Sequence, residues 1–280
     1  MTNDLIIERR DSTELITLNR PQGLNSLSPE MIAELPSAMA RAARDRSCRA
    51  IVIVGAGDRA FCAGIDVKSV AARDAGGSEV GGIDPVVASL ENLDAGLGNI
   101  VRMIHRVPVP VVAAVNGHAV GAGFAIAAAA DVRLASTSAT FSDGFVKRGI
   151  SGCEMGLSYF LPKIVGPALA FELMMSGRRV LPEEALRSGL ISKVTEPEEL
   201  IDRSLLIAAS FAENAPMSIS TTKEIMWANL HAPSLDSALA LEARNQVLIR
   251  NTADAAEARL AFLEKRTPQF ETPTGKRPLR

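Results

Sequence analysis

The sequence predicts an α/β protein, a mainly parallel sheet covered by helices and followed by a helical C-terminal region. Short apolar runs of buried-strand length, Ala50–Gly55 (AIVIVG), Pro110–Gly117 (PVVAAVNG) and Val132–Ser136 (VRLAS), are separated by helical segments. That alternation is the pattern of parallel strands buried on both faces. Beyond Gly166 the segments carry apolar residues three or four apart, the spacing of amphipathic helices. With 280 residues, 47% of them hydrophobic, the chain can bury the core of one large domain with a smaller appendage. The change of texture divides it into residues 1–200 and a helical region over 201–280.

Taken in order, LIIERR and ELITLNR read as two short strands joined by a polar turn at Asp11–Thr13. RPQGLNSL is a loop. Ser28 is a helix N-cap with Pro29 in the first helical position, and the helix runs towards Asp45. Ala71–Gly98 is rich in glycine and small residues and reads as a mobile segment. ALAFELMMSGRRV, PEEALRSG, EELIDRSLLIAASFAEN, SISTTKEIMWANL, LDSALALEARNQVLIR and ADAAEARLAFLEKR then read as successive helices.

Composition excludes several functions. Lys and Arg number 30 against 32 Asp and Glu, so no excess of cations is available to neutralise phosphates, and nucleic-acid binding is not expected. Aromatics make up 4%, too few for base-stacking platforms. The N-terminus has no long apolar core, and the most apolar run, Ala119–Ala130, is too short and too rich in glycine to span a bilayer. Cys48, Cys62 and Cys153 form neither a disulfide framework nor a CxxC pair. A soluble, cytoplasmic protein with no membrane partner is the expectation.

Motifs narrow the chemistry further. GAGDRA (Gly55–Ala60) fits G-x-G-x-x-A, but neither an opening helix nor an acid-terminated second strand follows, so a nicotinamide-dependent oxidoreductase is poorly supported. GISGC only approximates a nucleophile elbow, and Ser151 has no histidine partner in sequence. His105, His118 and His231 form no metal-binding pair, so no metal is expected; His118 reads as a packed or hydrogen-bonded residue. Two glycine turns share one design. AFCAGIDVK places Gly64 before an expected helix near Asp66, and NGHAVGAGFAI places Gly121 and Gly123 around Ala122 at the start of another. Free backbone N–H groups at two such helix starts, converging on one point, make an oxyanion hole.

Together RPQGLNSLS, IVIVGAGDRAFCAGIDVK, VPVPVVAAVNGHAVGAGFAIAAAADVRLAS, LPKIVGPALAFELMMSGRRVLPEEALRSGLISKV and LAFLEKRTPQF resemble the crotonase (enoyl-CoA hydratase/isomerase) superfamily from about Leu5 to Phe270. The resemblance implies a crotonase-like spiral of ββα units, a C-terminal helical trimerisation region, a homotrimer or a hexamer built as a dimer of trimers, and an acyl-CoA substrate. Coenzyme A enters as part of that substrate and no separate cofactor is expected. By position the oxyanion donors are the amides of Ile65 and Ala122. Asn25, Ser26, Leu27, Ala63, Gly64, Asp66 and Gly121 would border the substrate and its CoA, with Lys68, Lys265 and Phe270 as weaker candidates.

The departures from the family pattern leave the reaction open between hydration and double-bond isomerisation. The two glutamates of a typical hydratase fall here at Ala125 and Phe145, so the two-glutamate mechanism does not carry over. Glu154, in GCEMG, matches the position where dienoyl-CoA isomerases and 4-chlorobenzoyl-CoA dehalogenase place a catalytic aspartate. Its glycine-flanked, largely apolar surroundings favour a raised pKa and a proton-transfer role. Asp143 is the reserve candidate, and Asp131 matches a family position that is usually structural. The expectation is an enoyl-CoA hydratase or isomerase using Glu154 as its single acid/base. The alternatives are a dienoyl-CoA or enoyl-CoA double-bond isomerase, or an acyl-CoA-binding homologue without turnover.

Overall fold

The computed structural model describes residues 4–66 and 85–270. Strands β1 (Leu5–Arg10) and β2 (Thr13–Leu18) pair as an antiparallel hairpin. Helix α1 (Pro29–Arg44) begins where the sequence places it: Ser28 Oγ accepts the Met31 N–H at 3.2 Å, with Pro29 in the first turn. Then follow β3 (Ala50–Gly55), β4 (Ala60–Cys62), α2 (Pro85–Glu91) and α3 (Gly98–Arg106), the two helices joined by a π-helical turn. Next come β5 (Val111–Val115), β6 (His118–Val120), α4 (Ala122–Ala129), β7 (Val132–Ser136) and β8 (Thr140–Ser142). Helices α5 (Leu157–Val165), α6 (Pro167–Ser176) and α7 (Pro182–Arg187) lead to β9 (Lys193–Thr195). Helices α8 (Leu200–Ala212), α9 (Pro216–Asn229), α10 (Leu235–Arg250) and α11 (Ala253–Glu264) complete the described chain.

The strands form two sheets. Six run in the order β1-β2-β3-β5-β7-β9, parallel from β2 onward; three short ones run β4-β6-β8, all parallel. The pairs β3/β4, β5/β6 and β7/β8 each send their first strand to the large sheet and the second to the small one, and α4 and α5 follow the second and third pairs. This is the repeating ββα unit. Period-2 alternation explains why the large-sheet strands read as unbroken apolar runs. Ile51, Ile53, Val111 and Ala113 face the main core with α1 and α4, while Val52, Val54, Val112 and Ala114 face a second core closed by Leu200 and Ala208 of α8. The first helix after residue 200 therefore covers the sheet.

Part of the segment read as mobile, Ala71–Gly98, lies outside the described residues; from Pro85 onward it is helical. The helix expected near Asp66 likewise falls outside them.

Asp131 has the scaffold role read for it. The buried Lys223 of α9 places Nζ 2.7 Å from its carboxylate and donates to the carbonyls of Ile104 (2.9 Å) and Val109 (3.0 Å). Trp227 Nε1 and the Val111 N–H donate to the same carboxylate. Lys223→Met leaves a largely buried anion without its counter-charge, which costs about 3–5 kcal/mol. Denaturant unfolding should read that loss; one below about 1 kcal/mol would show that the tie is not structural.

Candidate active site

The short parallel strands are the platform of the site. Strands β4, β6 and β8 lie side by side, and at their carboxyl ends come Ala63-Gly64-Ile65, Gly121-Ala122 and Asp143-Gly144-Phe145. Ligands bind at such strand ends in open parallel sheets. The turns are locked together. Leu27 donates to the Gly64 carbonyl (2.8 Å) and accepts from the Asp66 N–H (3.1 Å), and Gly121 donates to the Ser142 carbonyl (3.0 Å). Because the residues flanking Ile65 make the bonds to Leu27, the Ile65 N–H faces the opposite edge. Gly64, at φ +100°, and Gly121, at φ +54°, hold backbone conformations that favour glycine. A Cβ on Gly64 would sit 3.9 Å from the Ala122 amide nitrogen, so the two turns are in contact. The Ala122 N–H opens α4 and has no intrahelical acceptor.

The loop before α1 supports this platform from behind. Asn25 is fully buried, and its side chain accepts from the Arg20 N–H and donates to the carbonyls of Ala56 (2.9 Å) and Ala60 (2.7 Å). Asn116 holds the same connection, accepting from Gly55 N–H and donating to the Gly57 carbonyl. GAGDRA is thus a clamped link between β3 and β4, with no helix opening at its glycines. Arg20, which sequence reasoning missed, donates to the Ser26 carbonyl (2.7 Å) and pairs with Asp66 (2.9 Å), tying the two loops together. His118 is the hydrogen-bonded residue read from the sequence, its Nδ1 2.8 Å from Thr140 Oγ1 across the small sheet.

At the vacated glutamate positions the structure is closed and apolar. Ala125 is fully buried. The Phe145 ring covers Gly121, where a Cβ would meet its Cζ at 3.2 Å. Cys62 is no nucleophile, because burial pushes its thiol up to about 12.

The carboxylates stand on the next stretch. Glu154 precedes α5 by two residues, Met155 and the N-cap Gly156, so it lies in the approach to the helix. It is half-buried and lines a cleft of about 680 Å³ together with Met155, Tyr159, Phe160, His105 and Arg102. Burial raises its pKa, and the neighbouring Asp143 raises it further. His105 is held towards its neutral form by burial and then by Lys223, and it packs on Trp227 with ring centroids 4.8 Å apart. The Gly64 and Gly121 turns do not line this cleft; Asp143, directly after β8, stands between. Its carboxyl accepts from the Phe145 N–H at 3.2 Å, and burial raises its pKa to about 6.

That shift has a consequence for stability. A carboxyl whose folded pKa lies above its unfolded value, here about 6 against about 3.9, favours folding below the unfolded value. The contribution is lost as pH rises through about 6. Between about pH 4 and pH 8 it removes about 2 kcal/mol. Unfolding midpoints of wild type and Asp143→Asn at those two pH values should show that the variant lacks this component; an identical pH dependence would contradict it.

Lys68 lies outside the described residues. Lys265 caps α11 at φ +53°, and Phe270 follows at the end of the described chain; neither lines the cleft. Among the described residues no group of three or more His, Cys, Asp or Glu could hold a metal ion, and no helix is long and apolar enough to cross a membrane.

A ββα spiral with two contacting amide-bearing turns beside a carboxylate-lined cleft defines a crotonase-type protein. The family model described as enoyl-CoA hydratase/isomerase matches residues 8–273, and the chain belongs to that family. It is 38% identical to the probable enoyl-CoA hydratase EchA12 of Mycobacterium tuberculosis, over 96% of this chain and 93% of the relative. It is 32% identical to the short-chain-enoyl-CoA hydratase of Clostridium acetobutylicum, over 94% and 96% of the two chains. The crystal structure of a probable enoyl-CoA hydratase/isomerase from Mycobacterium abscessus superposes with a TM-score of 0.87 at 32% identity, covering 97% of this chain and all of that one.

Proposed function

We propose that the protein is an enoyl-CoA hydratase or isomerase. The Ile65 and Ala122 amides stabilise a thioester enolate, and Glu154 moves the proton. The observation that carries this reading is the contact between the Gly64 and Ala122 turns at the ends of adjacent parallel strands. Removing a proton next to a thioester, or adding a nucleophile to its double bond, places negative charge on the carbonyl oxygen. Two preorganised donors aimed at that oxygen supply roughly 3 kcal/mol each. The relatives named enoyl-CoA hydratases favour hydration as the first reaction to assay. The apolar closure at Ala125 and Phe145 favours double-bond migration, because one carboxylate can remove and redeliver the same proton whereas hydration also requires a held water.

The chemistry uses no cofactor beyond the CoA carried by the substrate. Helix α10 buries none of its residues within the chain, and Leu235, Val247, Phe262 and Leu263 are exposed along α10 and α11. These faces support a homotrimer, or a hexamer of two trimers. The free thiols Cys48, Cys62 and Cys153 agree with a reducing cytoplasm.

The test is a panel of enoyl-CoA thioesters of different chain lengths and double-bond positions. Hydration or isomerisation of any member supports the proposal. CoA-ester binding with no turnover across the panel would replace it with a binding module.

A further inference from the structure

Asp143 carries a carboxyl oxygen that the fold leaves without a partner. The residue is 1% exposed, and its Oδ2 is buried with no hydrogen bond among the described residues. An unpaired buried acceptor is costly and calls for an explanation. Space for it is made by Gly152, where a Cβ would fall 2.1 Å from Oδ2. Gly152 in turn accepts the Glu154 N–H at 3.1 Å. On its other side Asp143 abuts the oxyanion turn: Gly121 donates to Ser142, and a Cβ on Gly121 would meet the Asp143 carbonyl at 3.3 Å. Asp143 is thus wedged between the Ala122 turn and the segment that presents Glu154.

We propose that Asp143 is the positioning partner of Glu154: the two carboxyls form a coupled pair in which an ionised Asp143 strengthens the hold of Glu154 on a proton it has taken up. The proposal rests on the assignment of Glu154 as acid/base and adds its partner. Asp143 does not reach substrate, because Oδ2 is closed off from solvent; it acts through Glu154. The groups around Glu154 in the cleft are Asp94, Arg102, His105, Arg106, Cys153 and Tyr159. Arg102 is paired with Asp94. Lys147 and Arg148, on the turn after Asp143, make no ion pair with it among the described residues. Arg106 also lines the cleft, but among the described residues no cation forms an ion pair with either carboxyl. Their protons come off in two steps that belong to the pair, and the Glu154 step is raised, which makes the ionised Glu154 a stronger base. In turnover Glu154 begins ionised, takes one proton from one carbon of the substrate and returns it to another, and Asp143 neither gains nor loses one.

Infrared titration of the ligand-free protein tests the pair, following protonated-carboxyl absorption in wild type, Asp143→Asn and Glu154→Gln. In wild type two carboxyls lose their protons above the ordinary carboxylate range. Asp143→Asn moves the Glu154 step down by about one pH unit. Coupling is reciprocal, so Glu154→Gln moves the Asp143 step down by a similar amount. That arm decides the matter should Asp143→Asn fail to fold by circular dichroism. Steps that stay in place in the variants overturn the proposal. Because no substrate is present, the outcome is separate from the enoyl-CoA panel: coupled titration without turnover removes the enzyme reading alone, and turnover with uncoupled titrations removes the pair alone.

Discussion

Glu154→Gln lowers kcat for any enoyl-CoA the protein accepts by about a hundred- to ten-thousandfold, with KM little changed. That range is the usual contribution of a positioned general acid or base. Glutamine keeps the shape of the side chain and removes only its capacity to take and return a proton. The fold does not depend on the carboxylate. The backbone of residue 154 makes the local bonds, its N–H to Gly152 and its carbonyl from the Leu157 N–H, and both survive the substitution. Stability should stay within about 0.5 kcal/mol of wild type. Steady-state kinetics and thermal unfolding together make the check. Retained kcat removes Glu154 from proton transfer, and a large stability loss would assign it a structural role.

Gly123→Ala acts on the other half of the site and has the largest expected effect on the fold. An added Cβ would lie 2.0 Å from the Cys62 carbonyl oxygen and 2.8 Å from its carbonyl carbon. These are backbone atoms of β4 and cannot swing aside. Helix α4 must lift from the strand, and the Ala122 N–H that begins this helix lifts with it. Overpacking against backbone should cost more than about 4 kcal/mol, beyond the ordinary range for a single methyl. In the protein that still folds, turnover should fall by about 10²–10³, as when one oxyanion donor is lost. Unfolding midpoints and kcat measured on the same preparation test both parts. A variant of wild-type stability and activity would mean that the helix start is not fixed against β4.

Much of the fold was legible because its signals are local or periodic. The Ser28 cap with Pro29 gave the start of α1, and the runs at Ala50–Gly55 and Val132–Ser136 gave two large-sheet strands to the residue. The small sheet was not legible. AFC, HAV and TFS are three residues each, too short to show a period, and their pairing is set by the larger sheet beside them. Two glycine turns could be read as candidate amide donors from residue type and position, but their contact could not, since Gly64 and Ala122 lie in separate units. Glu154 was found through the family resemblance; a lone acid in a glycine-rich stretch has no periodic signature. Arg20 bonds to Asp66 across 46 residues, and the orphaned oxygen of Asp143 becomes visible only when Gly152 is packed against it. Neither leaves a mark in the linear sequence.

A crystal structure with a bound enoyl-CoA or its hydrated product addresses the proposed chemistry most directly. The thioester oxygen should lie about 2.7–3.1 Å from both the Ile65 and the Ala122 amide nitrogens, with the Glu154 carboxylate in hydrogen-bond reach of the acyl α to γ carbons. A thioester oxygen held away from either amide, or a carboxylate other than Glu154 facing those carbons, would contradict the proposed mechanism.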